Sequence, residues 1–240
     1  HLNVQIKIPP LTSKYSYLLS VFNLDYFKTS IFHNKLSVVQ SSNNLKNLGI
    51  IYRDLDNTIS EIEQLNFNFR DSSRLENPSK PLYFFSDYNN PVLITKVYLF
   101  SSVIELLSYH CIYPQTDAAS TLLISLPFIF DFEHISQLKK EFVNAKFISC
   151  FNNSLNGHIN DIRAAIFYQG HKYQITRDNN KIQIKNRSNN SSVSIDEKDL
   201  TLFKVNQLFN QKYYYLKTHK PPKNNLNFNQ LLDHDKITYN

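Results

Sequence analysis

Between Val92 and Phe151 three apolar runs alternate with two amphipathic stretches. Val92–Phe100 is largely apolar and carries several β-branched residues, and Thr121–Leu126 and Lys146–Phe151 are shorter runs of the same kind. Each has the length of a strand and the continuous apolarity of one buried on both faces. Ile104, Leu107 and Cys111 fall on one side of a helix over Val103–Cys111. Ile135, Leu138 and Phe142 recur at helical spacing over Glu133–Val143, with Lys139 and Lys140 on the outside. Strand, helix, strand, helix, strand predicts a parallel sheet with right-handed crossovers.

The flanks carry weaker patterns. Tyr15, Leu18, Leu19 and Phe22 have helical spacing, Ser41–Asn44 reads as a turn, and Gly49–Arg53 is a short apolar run. Leu65, Phe67 and Phe69 alternate with polar residues, the period of a half-buried strand, and Leu82–Phe85 is a further strand after the polar loop Asp71–Pro81. Past the core, Asp161–Tyr168 reads as a short helix. Tyr173 and Ile175, then Ile182 and Ile184, alternate across Asn179-Asn180, a hairpin signal because Asn tolerates positive φ. Ser191–Ile195 is a candidate third strand, and Asp196 with Asp199 resembles a helix cap leading into Leu200–Phe209. Tyr213–Leu216 reads as a short strand, His219–Asn225 as a basic, proline-containing linker and Asn227–Leu232 as a last helical turn. The expected organisation is an α/β lead-in over 1–90, a core over 91–160 and a basic hairpin-and-helix extension over 161–240.

Charge separates the two halves. Residues 1–120 hold 10 Lys+Arg against 10 Asp+Glu, and residues 121–240 hold 16 against 10, so the whole net charge of +6 lies in the second half. Such asymmetry suits a polyanion and equally suits a solvated basic face. Arg163, Lys172, Arg177, Lys181, Lys185 and Arg187 cluster around the hairpin, and Lys212, Lys217, Lys220 and Lys223 surround Tyr213-Tyr214-Tyr215. Basic residues beside aromatics can follow a phosphate backbone and stack on bases. The chain is 42% hydrophobic, enough for a sizeable core. No run of about 18 apolar residues occurs, so no membrane span is expected, and Lys7, Pro9 and Pro10 interrupt the N-terminal apolar residues in a way unlike a signal peptide. Cys111 and Cys150 are too few and too far apart for a disulfide framework or a zinc site, and read as buried thiols of a cytoplasmic protein. His110 sits in an apolar helix and His158 in a loop. No Gly-x-Ser-x-Gly elbow, metal-ligand pair or glycine-rich phosphate loop occurs, and the chain has only 3 glycines.

In an open parallel sheet, chemistry gathers at the carboxyl ends of the strands. Here the first core strand ends in Ser101-Ser102 and the third runs into Asn152-Asn153-Ser154, with Gly157 three residues on. The helix between carries Ile104-Glu105-Leu106-Leu107-Ser108. These elements, with the lead-in Leu82–Ser86 and the ending Lys223–Leu232, resemble the Toprim domain of primase- and mobilisation-type proteins from mobile elements. The resemblance covers roughly residues 49–160 plus that tail. It implies a Toprim-like, Rossmann-type α/β core and a metal-binding Glu and Asp-x-Asp at positions 101, 152 and 154. Those positions hold Ser101, Asn152 and Ser154. Mg²⁺ binds through charged oxygens, which Ser and Asn do not supply. The resemblance therefore implies a degenerate scaffold with no metal, no cofactor and no catalytic residue. Nucleic acid, and replication or mobilisation proteins, are the expected partners. Arg163, Lys172, Arg177, Lys181, Lys185, Arg187, Lys217 and Lys220 are the candidate nucleic-acid-binding residues. Two other readings stay open: a structural or partner-binding module, and a divergent phosphoryl-transfer enzyme whose acids, for example Glu105 and Asp161, have moved to new positions near Gly157.

Overall fold

The three central apolar runs become neighbouring parallel strands. The computed structural model describes residues 11–40, 46–65, 81–114, 117–127, 129–187, 190–210 and 216–238. After a 3-10 turn at Ser13–Tyr15 comes a short helix α1 (Tyr17–Ser20), followed by strands β1 (Leu36–Gln40), β2 (Lys46–Arg53), β3 (Ile59–Leu65) and β4 (Phe84–Phe85). Then come β5 (Lys96–Phe100), helix α2 (Val103–Ile112), β6 (Thr121–Ser125), α3 (Phe132–Glu141), β7 (Lys146–Ser149) and α4 (Leu155–Tyr168). The remainder is β8 (Tyr173–Asp178), β9 (Lys181–Asn186), β10 (Ser192–Asp196), α5 (Leu202–Leu208), β11 (Leu216–Thr218) and α6 (Phe228–Thr238). The protein is a mixed α/β fold.

The central sheet has the order β11-β7-β5-β6-β4. β5 is parallel to β6 and β7, β11 is parallel to β7, and only the edge strand β4 is antiparallel. Alternate side chains explain why these strands are apolar throughout. Val97, Leu99, Leu122, Ile124 and Phe147 enter one core with residues of α3, α4, α5 and the β8–β10 sheet. Phe100 and Leu123 enter the other with α2, α6 and the N-terminal elements. Both cores draw on residues from before Val92 and from after Asn160. The antiparallel sheet β1-β2-β3 packs beside the second core, and the antiparallel sheet β10-β9-β8 beside the first.

Four local boundaries differ from the expectation. The first core strand begins at Lys96 and not at Val92, because Asn90 Oδ1 accepts from Val92 N (3.0 Å) and Pro91 starts a 3-10 turn. α4 begins six residues before Asp161, at Leu155, where the Ser154 cap outweighs the poor helix propensity of Asn156 and Gly157. Asp196 makes no capping bond; Thr201 caps α5 instead, its Oγ1 accepting from Lys204 N at 3.1 Å. The final helical turn extends to Thr238. The hairpin forms as expected, with φ of 45° at Asn179 and 63° at Asn180, the two left-handed positions of a type I′ turn. The turn at Ser41–Asn44, the positions Phe67 and Phe69, and Lys212 to Tyr215 lie outside the described residues.

Candidate functional site

Because β5, β7 and β11 are parallel, their carboxyl ends open on one side of the sheet, and the residues that follow meet there. These residues are Ser101, the segment Phe151–Ser154, and His219 with Lys220. His219 N–H continues the ladder, donating to Ser149 O at 2.8 Å.

Asn152 and Ser154 serve the start of α4. Asn152 Oδ1 accepts from the backbone N–H of Ser154 (3.2 Å) and from its hydroxyl (2.5 Å), while Ser154 Oγ accepts from Gly157 N (3.2 Å). The turn is so tight that a Cβ on Gly157 would collide with both the main chain and the side chain of Asn152. Ser101 is half-buried, and the neighbouring Ser102 caps α2 by accepting from Glu105 N at 3.2 Å. The three positions thus carry neutral side chains, two of them committed to a helix cap, and they do not fit a divalent cation. Among the described residues no group of three or more His, Cys, Asp or Glu side chains comes together in a way that could hold one.

A cation of the chain's own sits at this strand end. Lys220 Nζ lies 2.5 Å from Asp161 Oδ2, 3.0 Å from Phe151 O and 2.9 Å from Asn152 O. Asp161 is 2% exposed and Lys220 20%. Ser149 donates to Asp161 Oδ1 at 2.7 Å, so the carboxylate is satisfied on both oxygens. Burial raises the Asp161 pKa to about 6, against the lowering pull of Lys220 and Ser149. His158 Nδ1 is 3.9 Å from the same carboxylate, and burial, with Lys220 beside it, lowers its pKa and favours the neutral ring. Around this ion pair the C-terminal segment is tied down: Asn153 Nδ2 donates to Pro221 O (3.1 Å) and Asn225 O (2.7 Å), and Asn153 N to Leu226 O (2.7 Å).

Glu105 is also engaged. Its Oε2 accepts from Phe228 N at 3.0 Å, at the amino end of α6, where a negative charge meets unpaired amides. It is 6% exposed; burial raises its pKa to about 7, partly offset by the amides of Phe228 and Asn229. Cys150 is fully buried, which together with the nearby Asp161 and Glu105 raises its thiol pKa well above the ordinary value, leaving it unsuited as a nucleophile. His110 is buried, its ring perpendicular to that of Phe32 with ring centres 5.4 Å apart, and burial lowers its pKa.

The eight candidate cations fall into distinct environments. Lys220 is spent on Asp161. Arg177 forms a two-point pair with Glu197, Nη2 lying 3.0 Å from Oε2. Lys181 stands in register between Asp178 and Asp196. Arg163 is half-buried on α4, its Nη1 donating to Asn160 Oδ1 (3.0 Å) and its guanidinium 5.6 Å from the Phe130 ring centre. Lys217 is exposed on the edge strand β11. Lys172, Lys185 and Arg187 are exposed together: Arg187 N donates to Lys172 O at 3.1 Å, and Lys185 is paired with Gln174 on one side and Ser192 on the other. No carboxylate is in register with these three. The sheet's solvent side is therefore polarised, with Lys181 flanked by two acidic residues near the turn and three cations at the other end. The sequence grouped all six hairpin cations because it does not display the register that separates them.

No family model matches the chain, and no curated protein matches it. Among solved structures, a chain in a complex of the bacteriophage T7 lagging-strand DNA polymerase with primase domains of two gp4 subunits, bound to an RNA/DNA hybrid and dTTP, is similar at 11% identity and a TM-score of 0.42. The likeness covers 56% of this chain and 57% of that one, so this chain spans little more than half of the neighbour's length. No helix among the described residues is long and apolar enough to cross a membrane.

Proposed function

We propose that this protein is a Toprim-like α/β scaffold that binds nucleic acid as an accessory in replication or mobilisation and performs no metal-dependent phosphoryl transfer. The observation that carries the reading is the ion pair at the strand ends. Lys220 occupies two strand-end carbonyls and the Asp161 carboxylate, where phosphoryl-transfer chemistry would call for a divalent cation on several acids. Glu105 is committed to the amino end of α6, which disfavours a reading in which the displaced acids rebuild a cluster. Binding falls to the patch of Lys172, Lys185 and Arg187, exposed cations with no acidic residue in register, although Lys172 also lies 5.5 Å from the Phe132 ring centre. Lys217 adds a further cation.

The test is binding of short single- and double-stranded DNA across a salt series, comparing the wild type with a Lys172→Gln, Lys185→Gln, Arg187→Gln variant. Steep salt dependence in the wild type, and a slope reduced by about one unit for each cation neutralised in the variant, supports the reading. Absence of binding at low salt refutes it and leaves a module that acts on protein partners.

A further inference from the structure

A groove runs between α4 and the β8 side of the β8–β10 sheet. One end is a cavity of about 180 Å³ lined by Asn156, Asn160, Arg163, Ile175, Thr176 and Arg177 among others. The other is a cavity of about 230 Å³ lined by Arg163, Ile166, Phe167, Gln174, Ile175 and Arg187 among others. Arg163 and Ile175 belong to both, so the two form one channel with an apolar floor.

The edge of β8 carries unused backbone groups on this side. Among the described residues the strand order β10-β9-β8 leaves β8 with a strand partner on one side. The hairpin register fixes which groups point outward. Asp178 and Lys181 flank the two-residue turn, and Arg187 N bonds Lys172 O, so residues 172, 174, 176 and 178 share hydrogen bonds with β9. Ile175 and Arg177 alternate with them and turn their N–H and C=O away from β9, and both line the groove. Among the described residues these groups have no protein hydrogen-bond partner.

Charge defines what fits. None of the residues lining either cavity is acidic. Arg163 sits half-buried at the middle, and among the described residues Asn160 Oδ1 and the Phe130 ring lie against its guanidinium and no carboxylate forms an ion pair with it. A desolvated guanidinium in a channel beside a free strand edge is matched by a carboxylate carried on an extended chain. Arg177 is already paired with Glu197 and does not add to this demand.

We propose that the groove between β8 and α4 is a docking site for an extended acidic peptide segment of a partner protein, which adds as a fourth strand on β8 and places a Glu or Asp against Arg163. The backbone groups of Ile175 and Arg177 supply the ladder, and the isoleucine floor takes the alternate apolar side chains. This surface is distinct from the nucleic-acid patch apart from Arg187 at its far rim.

The probe is a fluorescein-labelled short peptide of alternating Glu and Val, titrated into the full chain and followed by anisotropy. Saturable binding is expected, weakened about tenfold or more by Arg163→Gln. The same peptide with Lys for Glu is expected not to bind. Two further peptides, N-methylated either at every Val or at every Glu, need no protein variant: one series loses binding and the other keeps it, because only alternate amides face β8. The proposal is overturned if the parent peptide fails to bind, if both methylated peptides bind like the parent, if the lysine peptide binds equally, or if a single-stranded oligonucleotide displaces the peptide by occupying the groove.

Discussion

The carboxyl end of the central sheet and the solvent side of the C-terminal sheet both carry lysines, yet the structure uses them in opposite ways. At the strand ends Lys220 is withdrawn from solvent and satisfied by a carboxylate and two carbonyls. On the C-terminal sheet Lys172, Lys185 and Arg187 stay exposed with no acid opposite. A partly buried cation with three oxygen partners ties the strand ends together and has its charge matched within the protein. Exposed cations contribute little to stability and remain available to a polyanion. Position in the sheet, and not residue type, assigns the role.

The largest effect that would break this contrast is expected at Lys220. Lys220→Met leaves Asp161 buried without its counter-charge and is expected to cost about 3–5 kcal/mol in urea unfolding, with the double variant Lys220→Met, Asp161→Leu recovering part of the loss. A cost near zero would mean that the pair is not closed. Gly157→Ala is expected to cost about 1–3 kcal/mol, because the new methyl meets Asn152 at the turn that also presents the Asn152 carbonyl to Lys220. Thermal unfolding reports it.

Glu105 sharpens the comparison through pH. Its pKa is raised from 4.5 to about 7, so across that window the folded state binds more protons at this site than the unfolded state, and the site's contribution to stability falls as pH rises. Burial lowers the pKa of His33, His110, His158 and His219, which acts in the opposite direction below about pH 6.5. The difference between wild type and Glu105→Gln isolates the carboxylate: the variant should gain on the wild type steadily between pH 4.5 and 7 in chemical denaturation. A difference that ignores pH would contradict the burial of Glu105.

Smaller effects belong to the open surface. Neutralising Lys172, Lys185 and Arg187 should leave the unfolding free energy within about 0.5 kcal/mol of wild type while reducing DNA affinity about tenfold or more. Lys181→Gln, between Asp178 and Asp196, should change DNA affinity least of all. Equal losses at Lys181 and Lys185 would show that the register does not govern binding.

The core was legible because burial on both faces forces strands such as Thr121–Leu126 to be continuously apolar, and the hairpin because two adjacent Asn residues suit a type I′ turn. The start of α4 was not, since Asn152, Asn153 and Asn156 read as loop until Ser154 is seen capping Gly157. Nothing local marks Lys220 as the cation that pairs with Asp161. Its role arises when β11 docks parallel beside β7 and carries residue 220 to Asp161, a pairing between distant segments. The split between Lys181 and Lys185 was half legible: the hairpin sets Asp178 opposite Lys181, but Asp196 arrives only with β10.

The central claim is that the strand ends are closed by Lys220 and that nucleic acid is held by exposed cations without a metal. The most direct measurement is DNA binding by the wild-type chain at fixed ionic strength with Mg²⁺ and with EDTA. The account predicts equal affinity in both and a steep fall with added salt. Binding that appears only with Mg²⁺ would contradict it and return attention to Glu105 and Asp161.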